Sequence, residues 1–298
     1  MIEIINGHKT LSGKSILRDV NISVKKGSIF GLIGPNGAGK TTLIKNIMGI
    51  YRLDKGDIKV KGESVFKSTD IKKIMGYVSD ENTYFNSFNL KDIAKFYSLT
   101  YEKFNRDRFN KLNKIFNLPE KTPTRKFSKG MKMRLSIILN LSIMPEVLIL
   151  DEPTNGLDPI VKKQFMNILL EDVAERETTI LISSHNLGEL ERICDSIAIM
   201  DHGEVKYTNS IEDMKNKIRK IQVVFKDKAP EDLGSWDEII KVEKIGRVYN
   251  IVTKEYNTSF QKKLYDCELM FQEEIDLSLE DMFIYSIGGD IDYEEIFK

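Results

Sequence analysis

Residues 34–42 read Gly-Pro-Asn-Gly-Ala-Gly-Lys-Thr-Thr, which fits G-x-x-x-x-G-K-[ST] directly after the apolar run 28–33. Gly34, Gly37 and Gly39 let backbone N–H groups turn inward around an anion. Lys40 is long enough to reach β- and γ-phosphates, and the Thr41 hydroxyl is placed to ligate Mg²⁺. Asn36, Ala38 and Thr42 complete the nucleotide-binding loop. The chemistry is nucleoside triphosphate binding. A glycine-rich turn that binds nothing is the bland alternative, and the strand before and the amphipathic stretch 43–48 after count against it.

A second signal follows the apolar run 147–150: Asp151-Glu152-Pro153-Thr154-Asn155-Gly156-Leu157-Asp158-Pro159. At a strand end beside a phosphate loop, Asp151 can hold Mg²⁺ through water, and Glu152 can polarise the water that attacks a γ-phosphate. As simple helix-capping acids they would say nothing. A third piece, Phe127-Ser128-Lys129-Gly130-Met131, precedes a long apolar helix. Ser128 reads as its N-cap, with free N–H groups facing any nearby anion. The fourth is His185, directly after the buried run 179–182, where a lone histidine is more often structural.

These residues need elements to position them. Apolar and polar residues alternate in 2–4 and 20–24, with a turn at Lys25-Lys26-Gly27, as in antiparallel sheet; one further alternating strand is expected over 56–65 and a short apolar one over 74–78. Residues 90–118, rich in Lys, Asn and aromatics at helical spacing, read as a helical insertion that stops at Leu118-Pro119. Doubly apolar strands at 147–150, 179–182 and 196–200, separated by helices, predict a mainly parallel sheet with ligands at its carboxyl ends. Beyond residue 215 the pattern weakens into a small α+β appendage without a catalytic motif.

The expected fold is therefore α/β, a P-loop NTPase (RecA-like) core with an antiparallel β subdomain and a helical insertion, plus a small α+β C-terminal domain. The boundaries are 1–214, with the helical subdomain at about 84–145, and 215–298. The 298 residues carry 45 Lys and Arg against 45 Asp and Glu, so no global field favours nucleic acid. Cys194 and Cys267 are too few for a disulfide framework and suit a reducing compartment. No basic stretch precedes a long apolar core at the N-terminus, which predicts a chain that stays inside the cell.

In order and spacing, the phosphate loop, S-x-G, D-E-P-T, L-D-P and the trailing histidine make the chain resemble the ATPase subunit of ATP-binding-cassette transporters over about residues 2–210. The resemblance implies ATP and Mg²⁺ as ligands, with Thr41, Asp80 and Asp151 on the metal side. It implies two cassettes closing head to tail, so that Ser128, Lys129 and Gly130 of one face the γ-phosphate held by Gly39 and Lys40 of the other. Glu152 then corresponds to the catalytic glutamate, His185 to the switch histidine and Asp158 to the inter-subunit loop aspartate. The implied partners are a separate transmembrane permease and a second ATPase, identical or paralogous, with the subunit peripheral on the cytosolic face of the membrane. A cassette acting on ribosomes or DNA is the alternative, disfavoured by a single phosphate loop and no heptad run.

The chain also departs from that pattern. Lys129 stands where the family has glycine; its added charge could assist phosphate binding, and a solvated side chain is the favoured expectation. Asp80 stands where the family has glutamine and is expected among the catalytic residues with Glu152 and His185, since its carboxylate can still approach Mg²⁺, directly or through water. At the position of the adenine-stacking aromatic the chain has Leu11 or Ser12. The Tyr84–Phe88 aromatics fit a groove for the permease or, equally, core packing. The appendage and S-K-G-M resemble single-cassette exporters of peptides and antimicrobials, and among them the phenol-soluble-modulin exporter ATPases.

Overall fold

A computed structural model describes residues 1–82 and 84–287. In chain order its first compact unit runs through β1 (Ile2–Leu11), β2 (Lys14–Val24), β3 (Ile29–Ile33), α1 (Lys40–Ile47), β4 (Lys55–Val60), β5 (Glu63–Ser64), α2 (Asp70–Lys73), β6 (Met75–Val78), α3 (Leu90–Thr100), α4 (Arg106–Phe116), α5 (Lys129–Ser142), β7 (Val147–Asp151), α6 (Pro159–Arg176) and β8 (Thr179–Ser184). After α7 (Leu187–Leu190) come β9 (Ser196–Asp201) and β10 (Glu204–Ser210), which return the chain to the six-stranded sheet ordered β10-β9-β3-β8-β7-β6. Neighbours from β9 to β6 pair in parallel. Residues of β3, β7 and β8 are buried throughout, as a parallel sheet requires.

A second, antiparallel sheet ordered β2-β1-β4-β5 shares an apolar core with it through Ile2, Ile4, Val24, Phe30 and Leu43. The single strand expected over 56–65 is two strands, because Lys61 and Gly62 both take positive φ and turn the chain. The helical insertion is α3, α4 and α5, each opened by a side-chain cap: Asn89 with a full capping box, Asn105, and Ser128.

Among the described residues a second unit comprises 187–192 and those from 209 onward. Its described residues include α8 (Ile211–Lys217), β11 (Arg219–Phe225), β12 (Ile239–Ile245), β13 (Val248–Thr253), α9 (Thr258–Tyr265), β14 (Leu269–Ile275) and α10 (Leu279–Ile287). Its strands form an antiparallel sheet ordered β12-β13-β11-β14, packed on α9 through Ile221, Val223, Phe225, Ile251, Phe260 and Leu264. The compact units thus divide after Thr208, and the short helix α7 belongs to the second unit, where it packs on α10. Among the described residues no helix is long and apolar enough to cross a membrane.

Candidate active site

Strand register alone assembles the site. Ile33 pairs with Ser184, Asp151 with Ser183, and Val78 with Leu150, so the segments beginning at Gly34, Glu152, His185 and Ser79 leave the sheet at one level of its carboxyl edge. The phosphate loop leaves β3 and enters α1 at Gly39, whose φ of 103° and approach to the Ile16 carbonyl, 3.1 Å from where a Cβ would stand, both require glycine. A cleft of about 470 Å³ opens there, lined by the loop residues Pro35, Asn36, Gly37 and Gly39 to Thr42, and by Asp80, Glu152, Asn155, His185 and Ile16.

Two of the expected loop residues, Gly34 and Ala38, do not line it. A Cβ on Gly34 would lie 2.2 Å from the Met200 carbonyl, so this glycine serves close packing of the loop on β9, and Ala38 is buried. Gly37 differs from both: its φ is 88° and nothing lies within 4 Å of where its Cβ would stand, so there the left-handed turn, and not crowding, asks for glycine.

Inside the cleft, Lys40 is buried and donates to the carbonyls of Gly34 (2.5 Å) and Pro35 (3.1 Å). Its Nζ lies 3.4 Å from Glu152 Oε1. Burial lowers the Lys40 pKa from its ordinary value, against the pull of Glu152 and then Asp151. The other oxygen of Glu152, Oε2, lies 2.9 Å from His185 Nδ1. One carboxylate therefore bridges the phosphate-reaching lysine and the histidine. Glu152 takes φ +47°, a left-handed conformation that non-glycine residues rarely adopt, and its N–H is held by Ser183 Oγ at 3.0 Å.

Asp151 lies behind the loop, fully buried. Its Oδ1 accepts from Thr41 Oγ1 at 3.2 Å and Ser183 Oγ at 2.8 Å, and its Oδ2 has no hydrogen-bond partner. Burial raises its pKa, only partly countered by those two hydroxyls. An orphaned buried carboxylate oxygen beside a hydroxyl and a phosphate loop fits Mg²⁺, which takes one or two protein oxygens and completes its shell with phosphates and water. Among the described residues no group of three or more His, Cys, Asp or Glu could hold a metal by itself.

Ser128, Lys129 and Gly130 do not line this cleft. Ser128 Oγ accepts from Met131 N at 3.2 Å, as its cap position predicts. Lys129 is not merely solvated: its Nζ sits 2.9 Å from Asp80 Oδ1. Asp158 caps α6 by accepting from Val161 N (3.0 Å), the main reason its pKa is lowered, and pairs with Arg134 of α5 at 2.7 Å. Gly130 has a packing reason beside any anion contact, since a Cβ there would lie 2.7 Å from the Gly156 carbonyl. Gly130→Ala is expected to displace that loop and lower the unfolding free energy by roughly 1–3 kcal/mol. Chemical denaturation checks this, and an unchanged midpoint would refute the close approach.

Three contributors escape sequence reasoning. Ser183 ties Asp151 to the Glu152 backbone, and only its place at a strand end next to His185 hints at it. Ile16 lines the cleft in place of an aromatic ring, whereas Leu11 and Ser12 do not. Asn155 also lines it, although in the sequence it stands within the acidic motif with no role of its own.

Known proteins resemble this chain over most of its length. A family model described as "ABC transporter" matches residues 17–155. The chain is 29% identical over 289 residues to the ABC transporter ATP-binding protein YtrB of Bacillus subtilis, covering 97% of this chain and 99% of that protein. It is 32% identical over 282 residues to the bacitracin transport ATP-binding protein BcrA of Bacillus licheniformis, covering 91% and 92%. A solved ATP-binding subunit of an ABC transporter superposes with a TM-score of 0.67 at 28% identity, over 72% of this chain and 92% of that one.

Proposed function

The chain belongs to the ATP-binding subunits of ABC transporters, ATPases that dimerise and power transport with a transmembrane permease, and from that premise we propose that it drives export of peptides or antimicrobials. The observation that carries the catalytic reading is the Lys40–Glu152–His185 chain of contacts in the cleft. Export of peptides or antimicrobials draws support from the likeness to a bacitracin transport protein, which extends over 91% of this chain and so past the cassette into the second unit.

The phosphates of ATP lie on the inward N–H groups of the loop, and Lys40 exchanges Glu152 for the β- and γ-phosphates. Glu152, released from Lys40 but kept by His185, accepts a proton from the attacking water in line with the γ-phosphate. Thr41 and Asp151 are the residues that would hold Mg²⁺, whose chemistry is to neutralise charge developing on the phosphate oxygens. Ser128 and Gly130, outside their own cleft, serve the γ-phosphate of a second ATPase, identical or paralogous. Closure excludes water and aligns the reactants, so catalysis is by position and charge.

Docking to the permease falls to the aromatic groove of about 410 Å³ lined by Tyr84, Phe85, Ile93, Phe96 and Tyr97. Phe85 and Phe96 are 58% and 43% exposed although their rings stack edge-on at 5.6 Å, so both rings keep an outward face. Membership of the helical insertion keeps the groove remote from the phosphate loop in sequence. The Phe85→Ser, Phe96→Ser variant is expected to bind ATP as before and to detach from membranes. Continued co-purification with the permease would count against this groove. The proposed function as a whole is tested by isolating the chain from membranes, identifying the bound permease and measuring ATP turnover of the complex with and without its peptide substrate.

A further inference from the structure

Two of the positions at which the chain departs from the cassette pattern, Asp80 and Lys129, are each other's partners. Asp80 lies two residues beyond β6 and lines its own chain's nucleotide cleft. Lys129 opens α5, directly after the Ser128 cap. The segment after β6 runs along α5, with Asn82 Nδ2 on the Ser79 carbonyl at 2.6 Å and 3.8 Å from Met133 Sδ. The ion pair therefore joins a group of the chain's own site to the surface assigned above to the opposite nucleotide.

We propose that Asp80 and Lys129 form a latch that nucleotide opens: with the cleft empty the pair neutralises Lys129, and with nucleotide bound Asp80 turns inward and Lys129 becomes a γ-phosphate contact for the second ATPase. The inference rests on the composite-site reading. The Lys129 side chain is 65% exposed and that of Asp80 38%, so the pair is held weakly and is cheap to exchange. Asp80 Oδ1 is buried, and among the described residues the Lys129 ammonium is the charge beside it, a charge that the cation on a bound nucleotide can replace. Lys129 in turn stands at a helix N-terminus, where its charge adds to the N–H groups that favour an anion. Occupancy of one cleft thereby prepares the surface that completes the other, and the coupling is reciprocal.

Two measurements test the latch. Lysine acylation read by mass spectrometry reports the pair directly in the dilute chain: Mg·ADP is expected to raise labelling of Lys129 about threefold or more, and Asp80→Asn to make it high without nucleotide. Labelling indifferent to both overturns the latch. Sedimentation in the Glu152→Gln background reports the second role. Lys129→Met is expected to raise the ATP needed for half-maximal dimer about tenfold and Lys129→Arg to restore it. By the same linkage Lys129→Met, which has no latch to open, is expected to bind Mg·ADP somewhat more tightly in the dilute chain, and weaker binding there would overturn the latch. A merely structural pair would shift melting alone, and dimerisation equal in all three variants overturns the proposal. If Glu152→Gln itself forms no ATP-dependent dimer, the composite-site reading fails first and the latch with it.

Discussion

Glu152→Gln is expected to lower ATP turnover by roughly 10² or more and to leave a nucleotide-bound dimer that can be isolated. The substitution keeps the side-chain volume and a contact to His185, but removes the carboxylate that takes the proton of the attacking water. It also deprives Lys40 of its counter-charge at 3.4 Å, leaving only the carbonyls of Gly34 and Pro35 around a buried ammonium. Burial already lowers the Lys40 pKa, so the ligand-free variant loses stability. Phosphates replace the missing charge. Melting curves should therefore show a larger stabilisation by ATP than in the unmodified chain. Turnover equal to that of the unmodified chain would sink the assignment of Glu152, and a variant that hydrolyses slowly but never dimerises would sink the composite site.

Asp151→Asn is expected to do two opposite things, raising the stability of the ligand-free chain while reducing turnover by roughly 10² or more. Asparagine still offers an Oδ1 to Thr41 and Ser183, so the two hydrogen bonds persist. What disappears is a buried charge; the amide Nδ2 stands unpartnered where Oδ2 did, so the expected gain is the cost of desolvating the charge. The pH dependence follows from the direction of the shift. The folded pKa of Asp151 lies above its unfolded value, so the folded chain suffers no penalty below the ordinary carboxylate range and loses stability as pH rises through the folded value. The difference between the two chains should vanish in acid and be complete at neutral pH, without nucleotide or Mg²⁺. A variant less stable than the unmodified chain at neutral pH would show that Asp151 is compensated in a way its contacts do not reveal. Loss of turnover comes from the missing oxygen anion on the metal side.

The stability expected from removing Asp151's charge and the strained φ of Glu152 express one fact: the site carries charge and conformation that its own contacts do not relieve. Its most legible parts are those whose chemistry is written in contiguous residues. A phosphate loop needs glycines, a lysine and a hydroxyl within one strand-to-helix turn, so Gly34 to Thr42 declare it. What each glycine is for is not legible there, since Gly34 answers to the Met200 carbonyl and Gly37 only to its own φ. Asp151 and Glu152 are legible because both sit at the end of one apolar strand, and Ser128 because a cap bonds within its own first turn. The stretch 56–65 reads as one strand because alternation survives a two-residue turn, and only the positive φ of Lys61 and Gly62 breaks it.

By itself the sequence determined the fold class and the ATPase chemistry and singled out candidate groups for it, since these are encoded by local spacing and by apolar patterning of period two or 3.6. The tertiary structure alone decided who holds whom. Ser183 reaches Asp151 across 32 positions because β7 and β8 are neighbours in parallel register. Asp158, legible as a cap, is also tied to Arg134 of the preceding helix. Lys129, which sequence placed in solvent, is drawn to Asp80 because the segment after β6 lies along α5. Such contacts depend on which strands are adjacent and at what level they end, and a chain read one residue at a time carries no record of that distance.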